Sequence, residues 1–242
     1  MCTSFCMWRN SLFLLLLLPG MAAHAADVCD PAKLAGPYAF QLSGPTTISG
    51  TPKPTASLGR IVFDGSSGVS GTASATFSGL LLENPVTGTY EAKSDCSVTW
   101  KLQDDSGAFQ NFSGTLSTDE TRVLFRQTDP GGPQHGIMQK IPDTCSVADL
   151  QKKYKFTVFG STTPMQPGEV PQTVSVEGTV DVAENGSFQV DTDCSVQFVL
   201  TLPPEPSPMN MRGFLVNGGK EILAFQTDPG AMVAARFKSD TK

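Results

Sequence analysis

Hydrophobic and polar side chains alternate along this chain in short runs. Tyr38, Phe40 and Leu42 occupy one side of such a run, with Ala39 and Gln41 between them. A period of two is typical of a β-strand that buries one face. The same alternation recurs in three further runs, at 98–102, 154–158 and 196–200. The pattern therefore predicts an all-β chain.

Turn-forming residues separate these runs. They are found at Asp64-Gly65, Asp104 to Gly107, Asn185-Gly186, Asn217-Gly218-Gly219 and two Thr-Asp-Pro-Gly segments that end at Gly131 and Gly230. This order is typical of a reverse turn: Asp suits its first position, Pro the next position with its fixed φ, and Gly a position with positive φ. Only 31–34 and 146–152 are expected to form one or two helical turns.

Three blocks of sequence occur twice, in the same order. The blocks are 29–44, 88–98 and 127–131 in the first copy and 145–160, 186–196 and 226–230 in the second. The second copy lacks most of the stretch from Val69 to Thr87. Because the loss of a single strand would reverse the direction of everything after it, we expect that a pair of short arms is missing.

This arrangement predicts two tandem, meandering, antiparallel β-barrel-like units, residues 26–142 and 143–242. Closure into a barrel removes the exposed edges that an open meander would keep. The joint at Ile141 to Thr144 is short, so we expect the two units to lie close together.

The first 25 residues have the layout of a secretory signal peptide. Arg9 precedes an apolar run from Leu12 to Leu18, and Ala23-His24-Ala25 follows it. The run is too short to span a bilayer. We predict cleavage after Ala25, a mature chain beginning at Ala26, no transmembrane segment, and a protein that is secreted or periplasmic.

Four of the six cysteines remain in the predicted mature chain. An even number of cysteines in an exported protein indicates disulfides. Four cysteines can pair in three ways, and the repeat favours the pairing in which equivalent cysteines form a disulfide within each unit. We therefore predict one disulfide in each unit, Cys29 with Cys96 and Cys145 with Cys194.

Charge and residue chemistry exclude several classes of function. The formal net charge of -6 argues against nucleic acid or an anionic membrane as a partner. His135 is the only histidine of the predicted mature chain, which excludes a multi-histidine zinc site. Asp191-x-Asp193 lacks the glycine and distal glutamate of a calcium loop. We predict no metal site and no cofactor.

Two pairs of neighbouring carboxylates, Asp104-Asp105 and Asp119-Glu120, could in principle serve acid–base catalysis. Each pair falls at a predicted hairpin tip, where water should solvate both carboxylates and nothing should raise either pKa. No Gly-x-Ser-x-Gly elbow accompanies His135. We therefore predict no catalytic residue and no enzymatic activity.

The chain resembles a group of small secreted bacterial proteins known from acidobacterial genomes. The motifs that carry the resemblance are Gly36-x-Tyr38-x-Phe40, Phe63-Asp64-Gly65, Gly88-Thr89-Tyr90, Asp95-Cys96 and Thr128 to Gly131. The second copy departs from the pattern at Lys152, Ala183 to Asn185, and Phe188. The resemblance implies a secreted tandem β-repeat protein and no particular activity. In strand layout the chain is only loosely similar to lipocalin and allene-oxide-cyclase barrels.

Two hypotheses for function stay open, with an enzyme as a weaker third. The protein is a binding module for a small apolar ligand or a protein partner, or it is a structural or cell-surface interaction protein. Binding inside a barrel would require a cavity lined by the aromatic residues of the predicted strands, whereas the same residues could simply fill the core. These residues are Tyr38, Phe40, Trp100, Tyr154, Phe156 and Phe198. Proline-rich loops at 45–54, 164–171 and 202–208 are the alternative places for a ligand, as is the space between the units.

Overall fold

The structure of the protein is a computed structural model, which describes residues 29–48, 51–77, 79–163, 170–201 and 208–239. The predicted signal peptide at 1–25 and the predicted mature start at Ala26 lie outside these residues. Two parts of the proline-rich segments, 164–169 and 202–207, also lie outside them.

Unit one is a closed barrel of eight antiparallel strands in which each strand pairs with the next and β8 pairs back to β1. The inward positions carry the alternating apolar residues of the sequence, which explains why these runs form strands. The strands are β1 (Gly36–Ile48), β2 (Thr51–Phe63), β3 (Gly68–Phe77), β4 (Leu80–Ala92), β5 (Ser97–Asp104), β6 (Phe109–Leu116), β7 (Arg122–Gln127) and β8 (His135–Lys140).

Unit two is a seven-stranded antiparallel sheet in the order β10-β9-β15-β14-β13-β12-β11. Its strands are β9 (Lys153–Thr162), β10 (Gln172–Asp181), β11 (Gly186–Val190), β12 (Ser195–Leu200), β13 (Met209–Val216), β14 (Glu221–Gln226) and β15 (Ala231–Lys238). The predicted fold class, an all-β chain of two tandem antiparallel barrel-like units with one disulfide each, is confirmed.

Unit one is closed, whereas the sheet of unit two is open: its two edge strands, β10 and β11, are not paired with each other. In unit one, the stretch that unit two lacks comprises β3 and the outer part of β4. A one-turn helix, α1 (Val182–Asn185), connects β10 to β11 instead. The expectation of a hairpin turn at Asn185-Gly186 is therefore wrong. Counting the antiparallel pairings shows that β10 and β11 run in the same direction, so no hairpin can join them.

Each unit carries one disulfide near the start of its first strand. Cys29 pairs with Cys96 and Cys145 pairs with Cys194, with Cα–Cα distances of 5.1 and 4.9 Å. Closing loops of this length stabilises a fold by about 4 kcal/mol in the loop-entropy description. Short 3-10 helices, Pro31–Leu34 and Val147–Asp149, follow the first cysteine of each unit. The second is shorter than the predicted segment 146–152.

The two units share an apolar interface. Ala39, Leu58 and Ile137 on the outside of the barrel belong to the same buried cluster as Leu223 and Phe225 of β14. Strand β14 is consequently buried on both faces over most of its length. Within the described ranges, no helix has the length and apolarity needed to cross a bilayer.

Candidate ligand groove between the two units

An apolar groove lies where the outer end of the β1–β2 hairpin passes over the outer face of unit two. Its volume is about 340 Å³. We call it the inter-unit groove, and we call residues 43–48 of β1 together with 51–56 of β2 the first arm. The groove is lined by Ser43, Gly44, Pro45, Pro52, Pro54, Thr55, Phe159, Gly160, Ser161 and Met232.

The first wall of the groove is the proline-bearing first arm. Pro45 lies opposite Pro54, and Thr47 lies opposite Pro52. The expectation that 45–54 forms a loop is therefore wrong for the described residues, because this segment continues both strands as a hairpin. Proline can occupy strand positions whose N–H is not needed by the ladder. The three pyrrolidine rings give this wall a rigid apolar surface.

Hydrogen bonds fix the first arm to the rest of unit one. The side-chain amide of Gln134, which is buried, donates to the hydroxyl of Thr55 and to the carbonyl of Gly44, the latter at 3.4 Å. The Thr47 hydroxyl donates to the carbonyl of Gly131 at 2.7 Å. The first Thr-Asp-Pro-Gly turn thus braces the arm, in addition to connecting β7 to β8.

The second wall comes from β9 and β15 of unit two. Phe159 and Ser161 lie on the same side of β9, and Met232 lies opposite Ser161 on β15. The guanidinium carbon of Arg236 is 5.8 Å from the centre of the Phe159 ring, which is a cation–π contact. The Ser161 hydroxyl is buried and has no hydrogen-bond partner among the described residues.

Gly160, which also lines the groove, allows β9 to pair closely with β15. Its φ is +146°, and a Cβ at this position would overlap the carbonyl oxygen of Met232. Gly44, the matching glycine of β1, has a φ of +134°. Residues with side chains rarely adopt this backbone region, so both positions require glycine.

A polar network holds the two walls at a fixed distance. The amide of Gln41 donates to the carbonyls of Ala224 (2.6 Å) and Ala235 (2.8 Å), and its oxygen accepts from Arg236 Nε at 2.9 Å. Burial lowers the pKa of Arg236, against the opposing effect of the Glu221 charge.

Glu221 forms a second junction between the units. Its carboxylate pairs with Arg122 at 3.0 Å and accepts from the amide of Gln139 at 2.7 Å, both of which belong to unit one. A hollow of about 320 Å³ beside this junction is lined mainly by polar residues, including Arg122 and Lys140. The side chains that surround Glu221 neutralise a carboxylate that would otherwise be costly to bury.

A third contact between the units lies beyond the groove. The N–H of Gly230, in the second Thr-Asp-Pro-Gly turn, donates to the carbonyl of Gly79 at 3.0 Å. Glu83 of β4 pairs with Arg212 of β13 at 2.6 Å. The hydrogen bond from Arg212 lowers the pKa of Glu83 more than burial raises it.

The six aromatic residues predicted from the sequence lie in the cores and do not line the inter-unit groove. Trp100 stacks on Phe112 at 5.3 Å and meets Phe125 edge-on at 5.0 Å inside the barrel. Tyr38 and Phe40 are buried in the same cluster, and Tyr154, Phe156 and Phe198 are buried in unit two.

Phe198 also borders a second hollow. It stacks on Phe188 at 4.7 Å, and both rings contribute to a hollow of about 530 Å³ near the β11 edge, together with Met211 and Arg212. Polar residues, including Gln189, Gln197 and Asn210, form much of its lining. The inter-unit groove has the more apolar lining and is therefore the better candidate site for an apolar ligand.

Of the carboxylate pair Asp119-Glu120, Asp119 is exposed as the sequence suggested, but Glu120 is not. Glu120 is buried, and its carboxylate accepts from the backbone N–H of Asp30 at 2.8 Å and pairs with Lys33 at 3.0 Å. The expectation is wrong for Glu120 because the first 3-10 helix covers its carboxylate. Asp104, in contrast, lies at an exposed tip, and the hydroxyl of Ser106 lowers its pKa.

The remaining candidates take part in turns or lie at the surface. Asp193 accepts from the N–H of Ser195 at 3.0 Å, and His135 is the exposed first residue of β8. Among the described residues, no cluster of three or more His, Cys, Asp or Glu side chains could hold a metal ion.

The sequence contains one signal for the position of the groove. Gly44 and Gly160 match between the two copies, and prolines follow both. A matched glycine at which a strand must bend would have marked where each hairpin leaves its barrel. The approach of the two walls could not be inferred, since they come from different units.

Comparisons with known proteins do not place the chain in a family. No protein-family model matches it, and no curated protein matches it either. Among solved structures it is similar to isotype 1 transferrin binding protein B from serogroup B Neisseria meningitidis. The TM-score is 0.29 at 7% sequence identity, over 84% of this chain and 74% of that chain. A similarity of this extent carries no argument about function.

Proposed function

We propose that this protein is an exported, non-enzymatic binding module that holds a small apolar ligand in the inter-unit groove. The observation that carries the proposal is the pairing of a proline wall on unit one with Phe159 and Met232 on unit two, around a space of about 340 Å³. Sites for small molecules are mostly apolar hollows of about 300–1,000 Å³ with a few polar groups. The lining includes a half-buried polar residue of this kind, Ser43.

The filled cores support a site between the units and not within them. Trp100, Phe112 and Phe125 contact one another in the barrel interior, and Tyr38 and Phe63 do so at its other end. A barrel of this size is normally filled by its own side chains. A ligand therefore finds apolar surface where the two units meet.

Export is part of the proposal. Two disulfides suit an oxidising compartment, and the apolar run from Leu12 to Leu18 with Ala23-His24-Ala25 supports a cleaved signal peptide. The proposed location is the periplasm or the medium. The tandem repeat accounts for the equivalent disulfides of the two units.

Binding of a neutral apolar dye tests the proposed site. We expect N-phenyl-1-naphthylamine, excited directly, to bind the purified protein saturably with increased emission. Phe159→Ser removes an apolar wall of the groove and should weaken this binding at least tenfold, or about 1.4 kcal/mol. Circular dichroism verifies that the variant is folded.

A matched control is Phe109→Ser, which removes an exposed phenylalanine that also carries a cation–π contact, with Lys101 Nζ at 4.0 Å from its ring centre. This variant should bind the dye like the wild type. The proposal fails if the wild type does not bind saturably, or if both variants bind with the same affinity as the wild type.

A further inference from the structure

Strand β10 presents a free edge. Among the described residues it pairs only with β9, whereas β2, the second strand of unit one, is paired on both sides, with β1 and β3. Residues 175–179 of β10 are all exposed. The backbone groups on this side of β10 are consequently available to another strand.

The phase of the ladder identifies which residues face that edge. Val182 N–H donates to the Lys152 carbonyl at 3.0 Å, next to the register pair Asp181 and Lys153. Hydrogen-bonded pairs recur every second residue in an antiparallel ladder. Even-numbered residues of β10 therefore bond to β9, and the N–H and C=O groups of Thr173, Ser175, Glu177 and Thr179 point to the free side.

The sequence of β10 does not protect this edge. Natural edge strands are commonly blocked by proline, lysine or a bulge. From Gln172 to Thr179 the strand contains valine, threonine and serine, with Glu177 as its single charge. This edge is a regular run of eight residues with high β-propensity, which suits the addition of a strand.

Unit one shows which kind of segment fits such an edge. Gly59 of β2 faces the Phe40 ring as Gly178 of β10 faces the Phe156 ring, so the two edges correspond. The edge of β2 is occupied by β3, which runs antiparallel to it. Around Gly59, β3 alternates small residues, Gly71 and Ala73, with hydroxyl residues, Thr72 and Ser74.

We propose that β10 is a strand-addition site that binds an extended segment of another protein in the antiparallel direction. The segment has small apolar residues at one set of alternate positions and serine or threonine at the other, as β3 has. Main-chain hydrogen bonds supply the affinity in this mode, and alternate side chains supply the specificity. This site is separate from the inter-unit groove, so a ligand in the groove is not required for it.

A synthetic peptide of residues 66–77, which contains β3, serves as the probe. We expect it to bind the full mature chain, and a scrambled peptide of the same composition not to bind. Ser175→Pro removes one N–H at the free edge and no bond to β9, and should weaken binding at least tenfold. Ser175→Thr keeps that N–H and is the matched control, expected to bind like the wild type.

Amide hydrogen exchange provides a second measurement on the unaltered protein. Exchange at Ser175, Glu177 and Thr179 should slow when the peptide is added, with no change in β3 of unit one. The proposal is overturned if the peptide does not bind, or if Ser175→Pro folds and binds it as tightly as the wild type. It is also overturned if the protein is a dimer whose association Ser175→Pro abolishes, since a second copy then occupies the edge.

Discussion

At the residue scale, Glu120 connects three parts of unit one. Its carboxylate holds the 3-10 helix through the N–H of Asp30 and the ammonium group of Lys33, and its carbonyl accepts from the Tyr38 hydroxyl at 3.2 Å. The N–H of Asp30, followed by Lys33, lowers the pKa of Glu120. The same ion pair raises the pKa of Lys33, and burial raises the pKa of Tyr38.

The lowered pKa of Glu120 predicts a loss of stability in acid. A carboxyl group whose pKa is lower in the folded state contributes stability that is fully present above its unfolded pKa, about 4.3 for glutamate. That contribution is lost as the pH falls through the folded pKa. Urea unfolding of unit one, followed by Trp100 fluorescence between pH 6 and pH 2, should show this decline.

Glu120→Gln should lower the stability at pH 6 and flatten the decline below about pH 4. Glu91→Gln is the matched control, because Glu91 is exposed and its ion pair is with the exposed Lys93, at 3.5 Å. Its profile should follow that of the wild type. Parallel profiles for Glu120→Gln and the wild type would contradict the role given to Glu120.

At the element scale, the two Thr-Asp-Pro-Gly turns tie neighbouring hairpins together. Asp129 accepts from the backbone N–H and the amide of Asn111, both at 2.7 Å. Asp228 accepts from the same two groups of Asn210, the backbone N–H at 2.9 Å. Burial acts to raise the pKa of Asp129, but the hydrogen bonds from Asn111 and Gln127 outweigh it and lower that pKa.

Removal of this carboxylate should loosen the β6–β7 end of the barrel. Asp129→Ala leaves the donors of Asn111 and Gln127 without their acceptor, at a cost of about 1–3 kcal/mol. Urea unfolding at pH 7 measures the loss. Asp105→Ala, at the exposed tip between β5 and β6, should change stability by less than about 0.5 kcal/mol. Equal effects of the two substitutions on the free energy of unfolding would show that the hydrogen bonds accepted by Asp129 do not stabilise the barrel.

The strands could be predicted from the sequence because their signal is local. Tyr38, Phe40 and Leu42 alternate within five residues, and the pleat alone decides which face they occupy. The hydrogen bonds from Asn111 to Asp129 could not be predicted, since these two residues become neighbours only when β6 and β7 pair. The prediction of a loop from Pro45 to Pro54 is wrong because proline is unfavourable inside a sheet but is tolerated at edge positions, where the ladder does not need its N–H.

At the scale of the whole molecule, the two units form one frame around the groove. Gln41 and Glu221 each join the units through buried hydrogen bonds, and apolar residues of β1, β2 and β8 pack on β14. Breaking such an interface would leave buried polar groups unpaired. The relative placement of the walls is therefore a property of the folded pair, and the sequence of either unit alone does not reveal the site.

The methionine methyl groups distinguish a groove ligand from a ligand in a core. Met138 is buried inside the barrel, Met232 lines the inter-unit groove, and Met211 borders the hollow near β11. With ¹³C-methyl-methionine protein, each resonance can be assigned by one Met→Leu variant. A titration with dodecanoic acid then reports all three places at once.

We expect the Met232 resonance to shift saturably while the Met138 resonance stays unchanged, because the barrel interior is filled by Trp100, Phe112 and Phe125. Phe159→Ser should abolish the Met232 shift. A saturable shift of Met138 or Met211 with Met232 unaffected would contradict the assignment of the inter-unit groove as the ligand site.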